Sequence, residues 1–217
     1  PKPAQINPGD FAFNFISDPD QNSKALDDAI DFVEENQINC LNHPAIIKRL
    51  TRDALYQQFG NMDDRLEIPK TLRVTPRYDS DIREIVEAGE ISLPIIVRPA
   101  GGHDGKNMFL LESLDDIREL QCFAFDGRDY FLIEYKDYKG ADGFYRKYRM
   151  MWIGGKAYPR HLIIDREWNI HGTNRENYMI DDNELRKEEI AFYEDTESAL
   201  GANNYALLNK FFTDTGL

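Results

Sequence analysis

The stretch "LPIIVRPAGGHDGKNMFLL", residues 93–111, constrains the fold more than any other part of the chain. It begins apolar, breaks at Arg98 and Pro99, passes through Gly101, Gly102 and Gly105, and turns apolar again. Leu93–Val97 is rich in β-branched residues with no polar interruption, the pattern of a short strand buried on both faces. Met108–Leu111 reads as the strand returning beside it. The three glycines permit positive φ and close backbone approach. The loop can therefore fold its N–H groups around an anion such as a polyphosphate, or serve as an ordinary flexible hairpin connection.

The rest of the chain alternates helical stripes with short apolar runs. "NSKALDDAIDFVEENQ" places Leu26, Ala29, Ile30 and Val33 on one helix face, with Asn22 or Ser23 as cap. "NHPAIIKRLTRDALYQQFG" reads as one helix with Pro44 in its first turn and Gly60 just past its end. "TLRVT" is a short strand, "SDIREIVEAG" a helix closed by Gly89, "SLDDIREL" a helix opened by Ser113, and "DYFLIEY" a buried strand. "FYRKYRMMWIGGKAYPRHLII" forms a long hairpin turning at Gly154 and Gly155. From Glu188 the tail is helical in its second half. Helices and hairpins in this order indicate an α+β fold.

The hairpin carries a charge pattern of its own. With a two-residue turn, Ile153 faces Lys156, Met151 faces Tyr158 and Arg149 faces Arg160. Alternation then puts Lys147, Arg149, Lys156 and Arg160 on one face. Like charges opposite one another destabilise a ladder, so this face is solvated, paired with carboxylates or wrapped around an anion. Met150, Trp152 and Phe144 on the other side supply the packing. The chain as a whole carries a formal charge of −13, which argues against nucleic acid as a partner. The charge is uneven: residues 1–93 and 162–217 each carry −7, whereas residues 94–161 carry +1. The near-neutral segment therefore holds both the glycine loop and the hairpin.

Other functional classes have little in the sequence to support them. No Ser/His/Asp or Cys/His constellation is evident, and four histidines are too few and scattered for a zinc site. Cys40 and Cys122 fall in no metal or redox spacing, so both thiols are expected to be reduced and buried in a cytoplasmic protein. No stretch is apolar enough to span a membrane.

The succession of "LPIIVRPAGGHDGKNMFLL", a short helix, "YFLIEY" and "RKYRMMWIGGKAYPRH" resembles the ATP-grasp family of carboxylate–amine ligases, in particular its glutathione synthetase and ribosomal-protein glutamate ligase branch. The resemblance covers about residues 40–175 and includes "CLNHPAIIKRLTRDALYQQFG" and "IPKT" upstream. It implies two α+β lobes clasping a nucleotide, preceded by a helical N-terminal segment. The boundaries expected from it are a partial N-terminal segment over 1–69, a small lobe with the glycine loop over 70–134 and part of a large lobe over 135–217.

Carried over residue by residue, the resemblance gives Arg98 the place of a phosphate-binding lysine and makes Gly101, Gly102 and Gly105 the loop over the ATP phosphates. Glu134 accepts from the adenine amino group, and backbone groups of Tyr135 and Lys136 complete the hinge. Arg52 supplies a second basic contact. Arg149 stabilises the transferring phosphoryl group, with Arg160 or His161 at the next basic position and Asn174 as a further polar contact. Where the family commonly has a ribose-binding carboxylate this chain has Lys147, leaving nearby Asp142 as the substitute. The family's magnesium carboxylates are expected after "NKFFTDTGL", so the 217 residues are expected to be part of a longer protein, inactive alone, with Mg2+ bound only in the full chain. The implied partners are ATP and unidentified carboxylate and amine substrates. The alternative is a nucleotide-binding or protein-interaction module that has lost catalysis.

Overall fold

The computed structural model describes residues 9–102, 107–153 and 155–216. They separate into two compact units. One holds the residues up to Gly101 together with Phe109–Glu134, and the other holds Tyr135–Gly216 with Gly102, Asn107 and Met108.

In the first unit, β1 (Phe11–Phe13), α1 (Ser23–Glu35) and β2 (Asn39–Leu41) form a strand–helix–strand element whose two strands are parallel. Neither three-residue strand stands out in the sequence, because each exposes most of its apolar side chains. The helix read over residues 44–59 is two helices, α2 (Pro44–Lys48) and α3 (Arg52–Phe59). Thr51 causes the break: its Oγ1 accepts from the Ala54 N–H at 3.4 Å and caps a new helix instead of continuing the old one. His43 caps α2 in the same manner, its Nδ1 accepting from Ala45.

The main sheet follows, built from β3 (Thr71–Val74), β4 (Ile95–Pro99), β5 (Phe109–Leu111) and β6 (Tyr130–Glu134), with α4 (Asp79–Glu87) and a 3-10 helix (Leu114–Cys122) between them. Its spatial order is β3-β6-β4-β5 and every neighbour is antiparallel. Alternation sends Ile95, Val97, Tyr130 and Leu132 to one face, where Ile82 of α4 and Ile117 and Leu120 of the 3-10 helix close over them. Truncating any of these aliphatic side chains to alanine costs about 2–5 kcal/mol, because so dense a core relaxes only partly around the cavity. Both cysteines lie outside this packing: Cys122, at the end of the 3-10 helix, is exposed, and Cys40 is half-buried, contrary to the expectation of two buried thiols.

The second unit is the long hairpin β7 (Tyr145–Ile153) and β8 (Lys156–Asp165) covered by helices. Gly155 adopts φ +78 at the turn, and Gly154 lies outside the described residues. Leu162 and Ile164 of β8 are buried with Met179, Leu185 and Phe192. These come from the region after α5 (Arg175–Tyr178) and from α6 (Asn183–Glu194). The helical tail thus begins earlier than the sequence implied, because Asp182 caps α6 through bonds from the Glu184 and Leu185 N–H groups at 2.9 and 3.2 Å. α7 (Thr196–Leu200) and α8 (Ala202–Asp214) follow, and Trp152 of β7 stacks on Phe212 of α8 at 5.3 Å between centroids. The mixture of an antiparallel sheet, a hairpin and packed helices is α+β.

Candidate functional site

The face of the main sheet opposite its apolar core is charged. In register across three strands stand Arg73 of β3, Phe131 of β6 and Arg98 of β4. Arg73 lies over the Phe131 ring at 4.7 Å and bonds three carboxylates: Asp20 at 2.6 Å, Asp53 at 3.0 and 3.2 Å, and Asp129 at 3.2 Å. Burial alone would raise the Asp53 carboxyl, but the bonds from Arg73 outweigh it and hold the group below its usual range.

Arg98 sits in a different electrostatic setting. It is only 6% exposed. Burial first, and the neighbouring Arg52 guanidinium second, push it down to about 10, while Asp18 and Asp20 offset part of that cost. Arg52 opens α3. The structure thus brings together two residues that the family resemblance assigned to phosphate, one of them a desolvated cation beside a like charge. Such an arrangement favours an arriving anion, because the anion relieves both the desolvation and the repulsion.

The backbone leaving Arg98 is held on both sides. The Ala100 N–H donates to the Asp129 carbonyl at 2.8 Å, and Gln21 Nε2 donates to the Gly101 carbonyl. Gly101 adopts φ +70, and a Cβ there would come within 2.8 Å of Gln21 Cγ. Gly105, like His103, lies outside the described residues. At the end of β6 the Glu134 N–H bonds the Lys70 carbonyl at 2.8 Å.

In the second unit the hairpin register differs from the simple count. Ile153 pairs with Lys156 and Met151 with Tyr158, but the ladder shifts between Arg149 and Met150, so Arg149 faces His161 and not Arg160. Pro159, which brings no N–H to the ladder, stands at the break, and Arg160 is the extra residue of the resulting bulge. His161 therefore joins Lys147 and Arg149 on the basic face. Burial, then Arg149, Arg160 and Lys147, hold the His161 imidazole below its usual value, with Glu189 of α6 pulling weakly the other way. The cluster therefore differs from the one the alternation implied: Arg160 is taken up by the bulge, and His161 stands opposite Arg149 in its place.

Other residues given roles by the resemblance have structural occupations. Asp142 is clamped by Arg146, with Nη1 at 3.1 Å and Nη2 at 2.6 Å, and the same guanidinium reaches Glu188 at 2.5 and 3.0 Å. Arg146 pulls the Asp142 carboxyl down to about 2. Asn174 donates to Asp165 Oδ2 at 2.9 Å, beside Asn177 at 2.7 Å, and so satisfies a carboxylate with no exposed surface. The Tyr135 hydroxyl lies 3.1 Å from that of Tyr145, and its ring meets Trp168 edge-on. Sequence reasoning missed Asp18, Asp20 and Gln21, whose only local signal is the turn-forming "SDPDQ", and Arg73, which stands in the strand "TLRVT" with nothing local to mark it.

A surface cavity of about 500 Å3 lies elsewhere, lined by Asp79, Ser80, Arg83, Asp115, Ile117 and Arg118, and contains none of these residues. Among the described residues no group of three or more His, Cys, Asp or Glu side chains is placed to hold a metal ion, and no helix is long and apolar enough to cross a membrane.

No family model matches the chain, and no curated protein matches it in sequence. Its fold is similar to that of carboxyaminoimidazole ribonucleotide synthase from Aspergillus clavatus, solved with ATP, at 12% identity and TM-score 0.45 over 65% of this chain. It is similar to D-alanyl-alanine synthetase A from Vibrio cholerae at 14% identity and TM-score 0.43 over 71%, and to a RimK domain ATP-grasp protein from Sphaerobacter thermophilus at 15% and 0.41 over 82%. The chain spans 35%, 46% and 60% of those three proteins. Likenesses this distant assign no activity.

Proposed function

We propose that this chain is the ATP-binding part of an ATP-dependent carboxylate–amine ligase that works through an acyl-phosphate. The observation that carries the reading is Arg98: a cation 6% exposed, beside Arg52, on the strand that leads into the glycine-containing loop. A protein gains nothing in stability from burying one guanidinium next to another, so the pair is best understood as a receptor for a polyanion. The phosphates of ATP fit that receptor in charge. Arg149, with Lys147 and His161 beside it, supplies a second cationic surface suited to phosphoryl or acyl-phosphate oxygens as charge develops on them.

Glu134 completes the reading at the base. As the carboxylate ending β6, it accepts from the adenine amino group, which distinguishes ATP from GTP. In the ligase reaction a substrate carboxylate attacks the γ-phosphorus, ADP leaves, and an amine displaces phosphate from the acyl carbon. The described residues do not provide a site fitting the magnesium that such chemistry employs.

Calorimetry with ATP, GTP and a non-hydrolysable ATP analogue tests the proposal. The protein should bind ATP more tightly than GTP, and Glu134→Ala should weaken the analogue by about 1–3 kcal/mol while narrowing the difference. Arg98→Met, which keeps the stem and removes the charge, should abolish detectable binding. Equal affinity for ATP and GTP removes the adenine assignment, and undiminished binding by Arg98→Met removes the phosphate assignment.

A further inference from the structure

The Asp18–Gln21 turn lies at the charged face of the main sheet, and neither sequence motif nor the proposed function gives it a task. Asp18 Oδ1 accepts from the Asp20 and Gln21 N–H groups at 2.9 and 3.1 Å, which closes the turn. Asp20 Oδ1 accepts from Arg73 Nη2 at 2.6 Å, which fixes it to β3. Gln21 then reaches across to donate to the Gly101 carbonyl.

The other side of the same backbone leads to the same anchor. Ala100 donates its N–H to the Asp129 carbonyl, and the Asp129 carboxylate is held by Arg73 Nη1 at 3.2 Å and by Thr75 Oγ1 at 2.8 Å. Both restraints on the residues following Arg98 therefore trace back to one arginine. The approach at Gly101 is close enough that only glycine fits without displacing Gln21. Glycine left unrestrained has the widest backbone freedom, and a ligand ordering it would lose affinity by the entropy removed.

We propose that the Asp18–Gln21 turn is a positioning element of the phosphate site: anchored by Arg73 and clamping the Gly101 carbonyl through Gln21, it fixes where β4 ends and presents Arg98 to the incoming phosphates. The inference rests on the phosphate reading of Arg98. Asp18 and Asp20 have a second effect in the same place, because their charges help Arg98 remain a cation while buried. Gln21, Asp18 and Asp20 are positioning residues, acting through the Gly101 carbonyl and Arg98.

Gln21→Met tests this, because methionine matches the length of glutamine and has no N–H to donate. Gln21 is exposed, so the melting midpoint should stay within about 1 °C of the unmutated protein. Hydrogen exchange followed by mass spectrometry should show faster exchange in peptides covering residues 98–102. Inorganic triphosphate, titrated calorimetrically, should bind about fivefold more weakly, the ratio set by one net hydrogen bond. If the unmutated protein binds triphosphate and Gln21→Met binds it equally well, the clamp is not a positioning element, whatever the exchange shows, although the phosphate site stands. If the unmutated protein binds no triphosphate at all, the phosphate site falls and takes this inference with it.

Discussion

Replacing Arg73 by methionine is the most informative perturbation of the first unit. The methionine retains apolar contact with Phe131 but removes four hydrogen bonds to Asp20, Asp53 and Asp129. It leaves three carboxylates around a position with no positive charge. Bonds to charged groups are each worth about 1.5–3 kcal/mol in sheltered settings. Here the Arg73 side chain is 27% exposed and that of Asp129 39%, so water takes over part of each lost interaction. The expected loss is about 3–4 kcal/mol at neutral pH, near the range for breaking a sheltered ion pair from one side. The loss should depend on pH with a definite sign. Asp53 is held below its usual value of 3.8, so its contribution is fully present above that value and is lost as pH falls through the lowered one. Without Arg73, the burial that Arg73 now outweighs raises the Asp53 carboxyl, which then protonates at higher pH than in the parent and relieves the variant of part of its penalty. Urea unfolding at pH 7, 5 and 4, monitored by exchange of the β3 and β6 amides, should show a deficit that shrinks towards pH 4. A deficit below about 1 kcal/mol at pH 7, or one that is the same at all three pH values, would refute the reasoning.

Two further substitutions probe the second unit. Asp165→Asn places an amide N–H2 where the carboxylate now accepts from the Glu167 N–H, Asn174 and Asn177, and should cost about 2–4 kcal/mol in thermal melts at pH 7. Burial raises this carboxyl but its donors outweigh burial and lower it, so the gap between variant and parent should close as pH falls below the usual carboxylate range; a constant gap would show that the donors are not responsible. Arg149→Ala should raise the His161 pKa towards its usual value, read by NMR titration, and should reduce the rise in melting midpoint that triphosphate gives the parent. An unmoved His161 titration would mean that Arg149 does not help hold it down.

What the sequence determined is local. Apolar runs at Leu93–Val97 and in "YFLIEY" become β4 and β6, because side-chain alternation and β-branching act within a few residues. Ser113 and Gly89 mark helix ends for the same reason: capping bonds and positive φ are satisfied by neighbours in the chain. The family resemblance pointed to Arg98 and Arg52 by their order along the chain, and strand alternation pointed to the basic face of the hairpin. Tertiary structure decided which of these groups has a partner. Arg73 gathers carboxylates from positions 20, 53 and 129, and no window of local sequence contains that set. Asn174 is spent on buried Asp165 and Asp142 on Arg146, although both residue types look equally free when read along the chain. The shift that put His161 opposite Arg149 depends on how the ladder accommodates Pro159, and a strand pattern of period two cannot reveal where one extra residue is absorbed. Long-range pairing selects among contacts that local chemistry leaves equivalent, so the strands of the main sheet and the hairpin were legible in the sequence and the electrostatics of the candidate site were not.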